Sequence, residues 1–261
     1  MKRPQIIAEV IEAGPCRYFQ EGQDACQLQA CRGLQGACPF ALVRDPSFAR
    51  QVGLAVRGST WWQRFGQGNG KALPRHLRLR VALAACPNAC TMPQIRDIGL
   101  IVTTAPRAIR PECDGCGCCE RACREEAITI HEGRANLHKD RCLGCGQCVD
   151  RCPNGAIESG SARVRVLVGG RMGRHPRWAL DLCEADLASA AEVVRAFLDR
   201  IAREMPSPVH VADAVEKVGI GRLRQEMSSA ARAPECMMSQ ERSGPACASG
   251  EASPGINRDR E

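Results

Sequence analysis

The sequence predicts an α+β fold whose core is interrupted by a compact cysteine-rich module. Three observations predict it. Alternating apolar segments stand on both sides of residues 107–160; a long amphipathic helix follows the second of them; and the stretch between carries eight cysteines in two copies of one spacing. At 261 residues the chain is long enough for one large domain or two small ones and can bury a real core. Cysteine is abundant, 18 residues against only 3% aromatics, so part of the organisation is expected to come from metal. A disulfide framework is the rival explanation and belongs to secreted chains. The opening MKRPQIIAEVIEAG carries Glu9 and Glu12 where a signal peptide needs an unbroken apolar run, so a reducing, cytoplasmic setting is expected. Apolar runs such as 81–86 fall far short of the roughly 18 residues of a membrane span, and none is predicted.

Taken in order, residues 76–90 (HLRLRVALAACPNAC) read as a strand running into a cysteine loop, with His76, Arg78 and Arg80 on one face and Leu77, Leu79 and Val81 on the other. Residues 97–102 read as a second strand. The repeat follows: Cys113, Cys116, Cys119 and Cys123 recur 29 positions later as Cys142, Cys145, Cys148 and Cys152, and Ala127-Ile128 recur as Ala156-Ile157. Beyond it, Val164, Val166 and Val168 alternate with polar neighbours in a third strand that ends in two glycines. From Asp186 to Met205 the residues Leu187, Ala191, Val194, Leu198 and Ile201 fall on one helical face, which leaves Glu192, Arg195, Arg200 and Glu204 to water. Val209 to Met227 reads as a helix pair broken near Gly219 and Gly221. The expected division is a first core part over 1–106, the module over 107–160, a second core part over 161–227 and a disordered tail over 228–261, where Ser, Ala, Gly, Pro and charge replace periodicity.

C-x2-C-x2-C-x3-C, present twice and followed the second time by Pro153, is the most specific signal. Zinc sites pair two C-x2-C knuckles across a spacer, whereas here a third and a fourth cysteine follow at once, the spacing of an iron–sulfur site. Three thiolates on a tight loop cap three irons of a cubane, and the other half of the repeat lends the fourth. The expected sets are Cys113, Cys116, Cys119 with Cys152, and Cys142, Cys145, Cys148 with Cys123. Gly115, Gly117, Gly144 and Gly146 let the backbone approach the sulfides. The module resembles the bacterial dicluster 4Fe-4S ferredoxins, with Arg124 where a proline usually follows the first copy. Cys118 is an extra thiol without an assigned role.

A second signal is Cys86-Pro87-Asn88-Ala89-Cys90 leading into IRDIGLI. Two cysteines cannot fill a cubane, and ACRGLQGACPFALV upstream supplies Cys31 and Cys38. Here the chain resembles the siroheme-dependent nitrite and sulfite reductases, whose signature is a cysteine pair and a later C-x3-C in this context. VLVGGRMGRHPR is similar to that family's glycine-rich segment. The resemblance runs from about Cys31 to Met227 and is closest to the small anaerobic sulfite reductase subunits with an inserted dicluster ferredoxin. It implies a nitrite/sulfite reductase core with siroheme, a 4Fe-4S cluster held by Cys31, Cys38, Cys86 and Cys90, and Cys90 as the thiolate shared with the siroheme iron. Asn88 lies in the same loop. It further implies that His76, Arg78 and Arg80 hold a small inorganic oxyanion, sulfite or nitrite, and that Arg171, Arg174, His175 and Arg177 meet carboxylates of the macrocycle. The alternatives are a solvated edge strand for the first group and plain surface charge for the second.

Two departures from that family's pattern bear on the reading. Cys31 and Cys38 are separated by six residues where the family has five, and Cys26 with Cys31 by four, so Cys26 competes for the first pair. Only 30 residues precede Cys31, and most of a further half-domain is expected to be missing. Electrons are expected to enter at the module from a donor protein or reductase subunit; a polyferredoxin without siroheme is the non-catalytic alternative. The formal charge of +7 does not point to nucleic acid, because the arginines are scattered and thiolate-held clusters offset the excess.

Overall fold

The computed structural model describes residues 25–67, 73–228 and 230–231. The tail expected beyond 228 lies almost wholly outside the described residues, as do Cys16, Cys236 and Cys247. A five-stranded sheet organises the core in the order β1 (Cys26–Ala30), β2 (Leu79–Ala84), β3 (Ile98–Thr103), β8 (Arg163–Val168), β9 (Leu180–Asp186). The first three strands run parallel, and β8 and β9 are antiparallel additions. One face carries an apolar ladder, Val81 beside Ile98 beside Val168 and Leu83 beside Leu100 beside Val166, all buried. Helices α1 (Pro46–Arg57) and α4 (Ala190–Glu204) pack with it, the latter through Val193, Val194, Phe197, Leu198 and Ile201. Helices α5 (Val211–Val218) and α6 (Ile220–Met227) complete the layer and meet at Gly219, whose φ of +88° explains the break read from the sequence.

The opposite face has small residues at the centre of β2 and β3. Ala82, Gly99 and Ala84 stand there, and a Cβ placed on Gly99 would lie 2.5 Å from the Pro93 carbonyl oxygen. That lack of side chains lets the β2–β3 connection, residues 85–97, lie flat on the sheet, where Ala84, Ala89, Ile101 and Leu167 form a second small core.

Several expectations are corrected. The strand read from His76 begins at Leu79, because Arg75–Leu77 form a 3-10 turn; His76 therefore does not share a strand face with Arg80. The long helix begins at Ala190: Leu187, read as its first apolar position, lies in a turn, and Asp186 is the last residue of β9, a strand that had no sequence reading. Arg200, expected in water, is only 11% exposed and is held by Glu226 at 2.7 Å and Glu204 at 3.1 Å. Strand β1 and helix α1 had no sequence reading. The signal for α1 was Asp45-Pro46-Ser47: Asp45 accepts the Ser47 N–H at 2.8 Å as the N-cap, and Pro46 opens the first turn.

The repeat projects from the sheet between β3 and β8. Strands β4 (Pro106–Ile109) and β7 (Ile157–Ser159) form its antiparallel stem, β5 (Ile128–His131) and β6 (Arg134–Leu137) form a hairpin, and α2 (Cys118–Ala122) and α3 (Gln147–Asp150) are the short helices of the two halves. Ile128 and Ile157 pack with Cys119 and Cys148 in its own apolar centre. Among the described residues no helix is long and apolar enough to cross a membrane.

Candidate iron–sulfur and cofactor site

Strand β1 ends at Ala30, and the next residue, Cys31, donates its N–H to the Leu83 carbonyl at 3.0 Å, so the first cysteine is delivered to the C-terminal end of β2. Its Sγ accepts the Ala85 N–H at 3.1 Å. The loop beyond is fastened by Leu42 N–H to the Ala85 carbonyl at 2.9 Å, which brings Cys38 to the same end. Gly33 has no room for a side chain there: a Cβ would lie 2.9 Å from Ala41 Cβ and 3.1 Å from Ala85 Cβ. Cys86 and Cys90 arrive on the turn after β2, in which Ala89 holds φ +49° and Met92 φ +52°. Such left-handed non-glycine residues are uncommon and concentrate where function constrains the backbone.

The four thiols line one cavity of about 240 Å3. Burial pushes the Cys86 thiol up, the Asn88 N–H opposes this, and Cys31, Cys38 and Cys90 add to the rise. Cys26 is not in this group. It pairs with Leu79 at the far end of β2, whereas Cys31 reaches Leu83. Among the described residues, no three His, Cys, Asp or Glu side chains stand at the spacing that grips a single metal ion. The donor set is instead four cysteines around a void, and thiolate donors are the ligand chemistry of iron–sulfur clusters.

In the projecting unit the thiols meet across the repeat. Burial pushes Cys148 up to about 12, with Cys145, Cys142 and Cys123 acting in the same direction. Cys119 is raised by burial and by Cys113 and Cys152. Cys116 is exposed beside Cys118. The repeated Ala-Ile pairs have a local role: Ala127 N–H donates to Cys123 Sγ and Ala156 N–H to Cys152 Sγ, both at 3.2 Å. The glycines hold matching left-handed turns, φ +69° and +73° at Gly115 and Gly117, +70° and +72° at Gly144 and Gly146. The two halves therefore share one backbone path.

A larger cleft of about 730 Å3 abuts the four-cysteine cavity, and the two share Asn88 and Ala89. Its walls include Met92, Met172 and Trp178, which are 50%, 56% and 74% exposed. Apolar side chains left open around a roomy cleft suit a large, mostly apolar ligand. Arg171 and Arg177 line it as well. The loop that carries them closes on itself, each donating its N–H to the other's carbonyl at 2.9 Å. Both guanidiniums are also engaged by α5, Arg171 with Asp213 at 3.3 Å and Arg177 with Glu216 at 2.6 Å. Arg174 and His175 lie exposed in the same loop.

His76, Arg78 and Arg80 occupy a 3-10 turn, its end and the start of β2. His76 is exposed, and its ring lies 5.8 Å from that of His210, a residue that sequence reading missed because nothing local marks it. Burial and then the Arg171 charge hold His210 below its usual range; His76 and Arg80 act the same way against Asp213. Arg80, Arg171, His76 and His210 thus share one corner, and Arg171 connects it to the cleft.

Asp97 lies beneath this corner, buried, accepting the Arg80 N–H at 2.8 Å. Burial raises its carboxyl to about 7 against the Arg80 N–H and the charges of Arg80 and Arg96. The unfolded chain loses this proton near pH 4 and the folded chain near pH 7, so stability falls as pH rises across that window and levels off above it. Asp97→Asn, whose amide oxygen still accepts the N–H, is expected to flatten that slope and to gain on the order of 1–3 kcal/mol at pH 8. Urea unfolding at pH 4.5 and 8 checks it; a wild-type curve already flat over the window would refute it.

The family model described as the nitrite and sulphite reductase 4Fe-4S domain matches residues 23–234. A coenzyme F420-dependent sulfite reductase of Methanocaldococcus jannaschii is 29% identical over 213 residues, which is 79% of this chain and 31% of the relative. An anaerobic sulfite reductase subunit of Salmonella typhimurium is 33% identical over 55 residues, 21% of this chain and 16% of the relative. The chain therefore spans less than a third of the length of either curated relative. Among solved structures, a dissimilatory sulfite reductase I aligns over 92% of this chain and 60% of its own at 17% identity and a TM-score of 0.49.

Proposed function

Because this chain belongs to the nitrite and sulphite reductase 4Fe-4S domain family, we propose that it is the siroheme- and cluster-binding part of a reductase acting on a small oxyanion. Sulfite is placed before nitrite, since both curated relatives carry sulfite reductase in their names. The observation that carries the reading is the shared wall: Asn88 and Ala89 border both the four-cysteine cavity and the 730 Å3 cleft.

The residues present fit both groups. Cys31, Cys38, Cys86 and Cys90 would hold the core cluster, and Cys90, the exposed one of the four, would be the thiol shared with siroheme. Met92, Met172 and Trp178 would cover the macrocycle and keep water from it. Arg171 and Arg177, with Arg174 nearby, would meet its carboxylates, and their pairing with Asp213 and Glu216 sets their direction. Siroheme would supply the redox-active iron at which the anion is reduced, and the cluster would supply electrons one at a time. Arg80, Arg78 and His76 would hold the anion's negative oxygens, which neutralises charge that grows as oxygen leaves.

The same reading assigns the domains. Residues 1–106 and 161–227 make the reductase core, whose sheet draws strands from both, and 107–160 form an inserted dicluster ferredoxin that takes electrons from a donor protein or subunit. The test is cofactor analysis of protein purified without oxygen and made with siroheme synthesis available. About twelve iron atoms per chain, four for each four-cysteine site, with extractable siroheme and dye-linked sulfite reduction, is the expected result. About eight irons and no siroheme would leave a polyferredoxin and end the reductase proposal.

A further inference from the structure

We propose that the two four-cysteine sets of the module have different places in the protein: Cys142, Cys145, Cys148 and Cys123 form an inner site coupled to the core, and Cys113, Cys116, Cys119 and Cys152 form the outer site that a donor protein meets. This rests on the proposed function. The two halves carry the same spacing, so their order along the path is set by what each packs against.

The Cys142–Cys148 loop lies on the core. Thr104, one residue beyond β3, donates its N–H to the Gly144 carbonyl at 2.7 Å and forms a parallel bridge with Cys145. A Cβ on Gly144 would lie 3.1 Å from Thr103 Cβ; one on Gly146 would lie 3.0 Å from Thr104 Cγ2 and 3.1 Å from Leu42 Cδ2. Leu42 is the residue whose N–H binds the Ala85 carbonyl, between Cys38 and Cys86. One layer of side chain therefore separates the Cys142 loop from the loop that carries Cys38.

The Cys113–Cys119 loop faces the other way. Gly115 packs on Gly133 at the tip of the β5–β6 hairpin, with 2.6 Å between a Cβ built there and the Gly133 carbonyl carbon. Ala135 of β6 donates its N–H to Cys113 Sγ at 3.4 Å. Cys116 is open to solvent. Electron exchange weakens steeply with separation, so contact decides which set serves the core. The glycines that make the inner loop thin are then positioning residues for electron transfer as well as turn formers.

The experiment is low-temperature EPR of the full, anaerobically purified chain after dithionite reduction, compared with Cys145→Ser and Cys116→Ser. The spin coupling that broadens the core-cluster signal is expected to vanish in Cys145→Ser and to persist in Cys116→Ser. Should either ligand variant fail to assemble, Cys118→Ser removes a thiol beside Cys116 that belongs to neither set. It should shift only the signal that is weakly coupled to the core. A core signal coupled first to the Cys116 set would overturn the assignment alone, whereas no core signal in the wild type would overturn it together with the proposed function.

Discussion

Replacing Cys90 with serine is expected to remove about four of a proposed twelve iron atoms per chain, together with the extractable siroheme, and to leave about eight in place. Cys90 stands at the exposed edge of the cavity that Cys31, Cys38 and Cys86 line from the sheet side. A serine there leaves three thiols, an exposed fourth corner and no sulfur to share with the neighbouring cleft. The module keeps its own apolar centre around Ile128 and Ile157, so its sets are expected to assemble without the core cluster. Cys26→Ser is the matched control and keeps all iron, because Cys26 lies at the Leu79 end of β2 while the cavity is at the Leu83 end. Iron and acid-labile sulfide analysis with a visible spectrum checks both. Total iron loss in Cys90→Ser, or four irons lost in Cys26→Ser, would break the assignment of the core ligands.

The second large effect is expected at Gly170, where strand β8 leaves the sheet for the arginine loop. A Cβ at this position would lie 2.5 Å from the Arg96 carbonyl oxygen, 2.8 Å from Arg96 N and 2.9 Å from the Gln94 carbonyl oxygen. These three nearest atoms are all backbone, so no rotamer relieves the contact. Gly170→Val must separate residues 94–96 from the loop, and Gln94 and Ile95 on one side with Arg171 and Met172 on the other are walls of the cleft. The cost is about 3 kcal/mol or more, a fall of roughly 6–12 °C in Tm for a chain of this size. Siroheme content should drop with it while cluster iron in the module remains. Gly169→Ala is the milder comparison: its neighbours begin at 3.4 Å, and only its φ of +78° penalises a side chain. Thermal unfolding followed by circular dichroism gives both values, and equal Tm shifts for the two variants would contradict the backbone contact as the cause.

Much of the architecture was legible because it rests on local periodicity. Val164, Val166 and Val168 alternate in the sequence and line the buried face of β8, and Val194, Leu198 and Ile201 fall on the buried stripe of α4. The repeated glycines follow from the tight turns that a C-x2-C spacing demands. What was not legible depends on partners distant in the chain. Strand β9 exists because β8 offers a free edge, and its residues from Leu180 to Asp186 carry no pattern strong enough to announce it. His76 looks like part of a strand by alternation, yet β1 pairs with β2 only from Leu79, and the chain before that point turns instead.

The sequence by itself made the thiol chemistry legible: the eight module cysteines, the C-x3-C loop and the glycines that accompany them, each group lying within a single short loop. Tertiary structure decided which of these meet. It set Cys38 rather than Cys26 beside Cys86, joined Arg80 to Arg171 through His210, laid a cleft against Asn88, and turned one half of the module inward. The reason is physical. A spacing along the chain constrains distance only over a turn or two, whereas Cys31 meets Cys86 through the pairing of β1 on β2, and Cys38 joins them through the Leu42 N–H on the Ala85 carbonyl, contacts between segments more than forty residues apart.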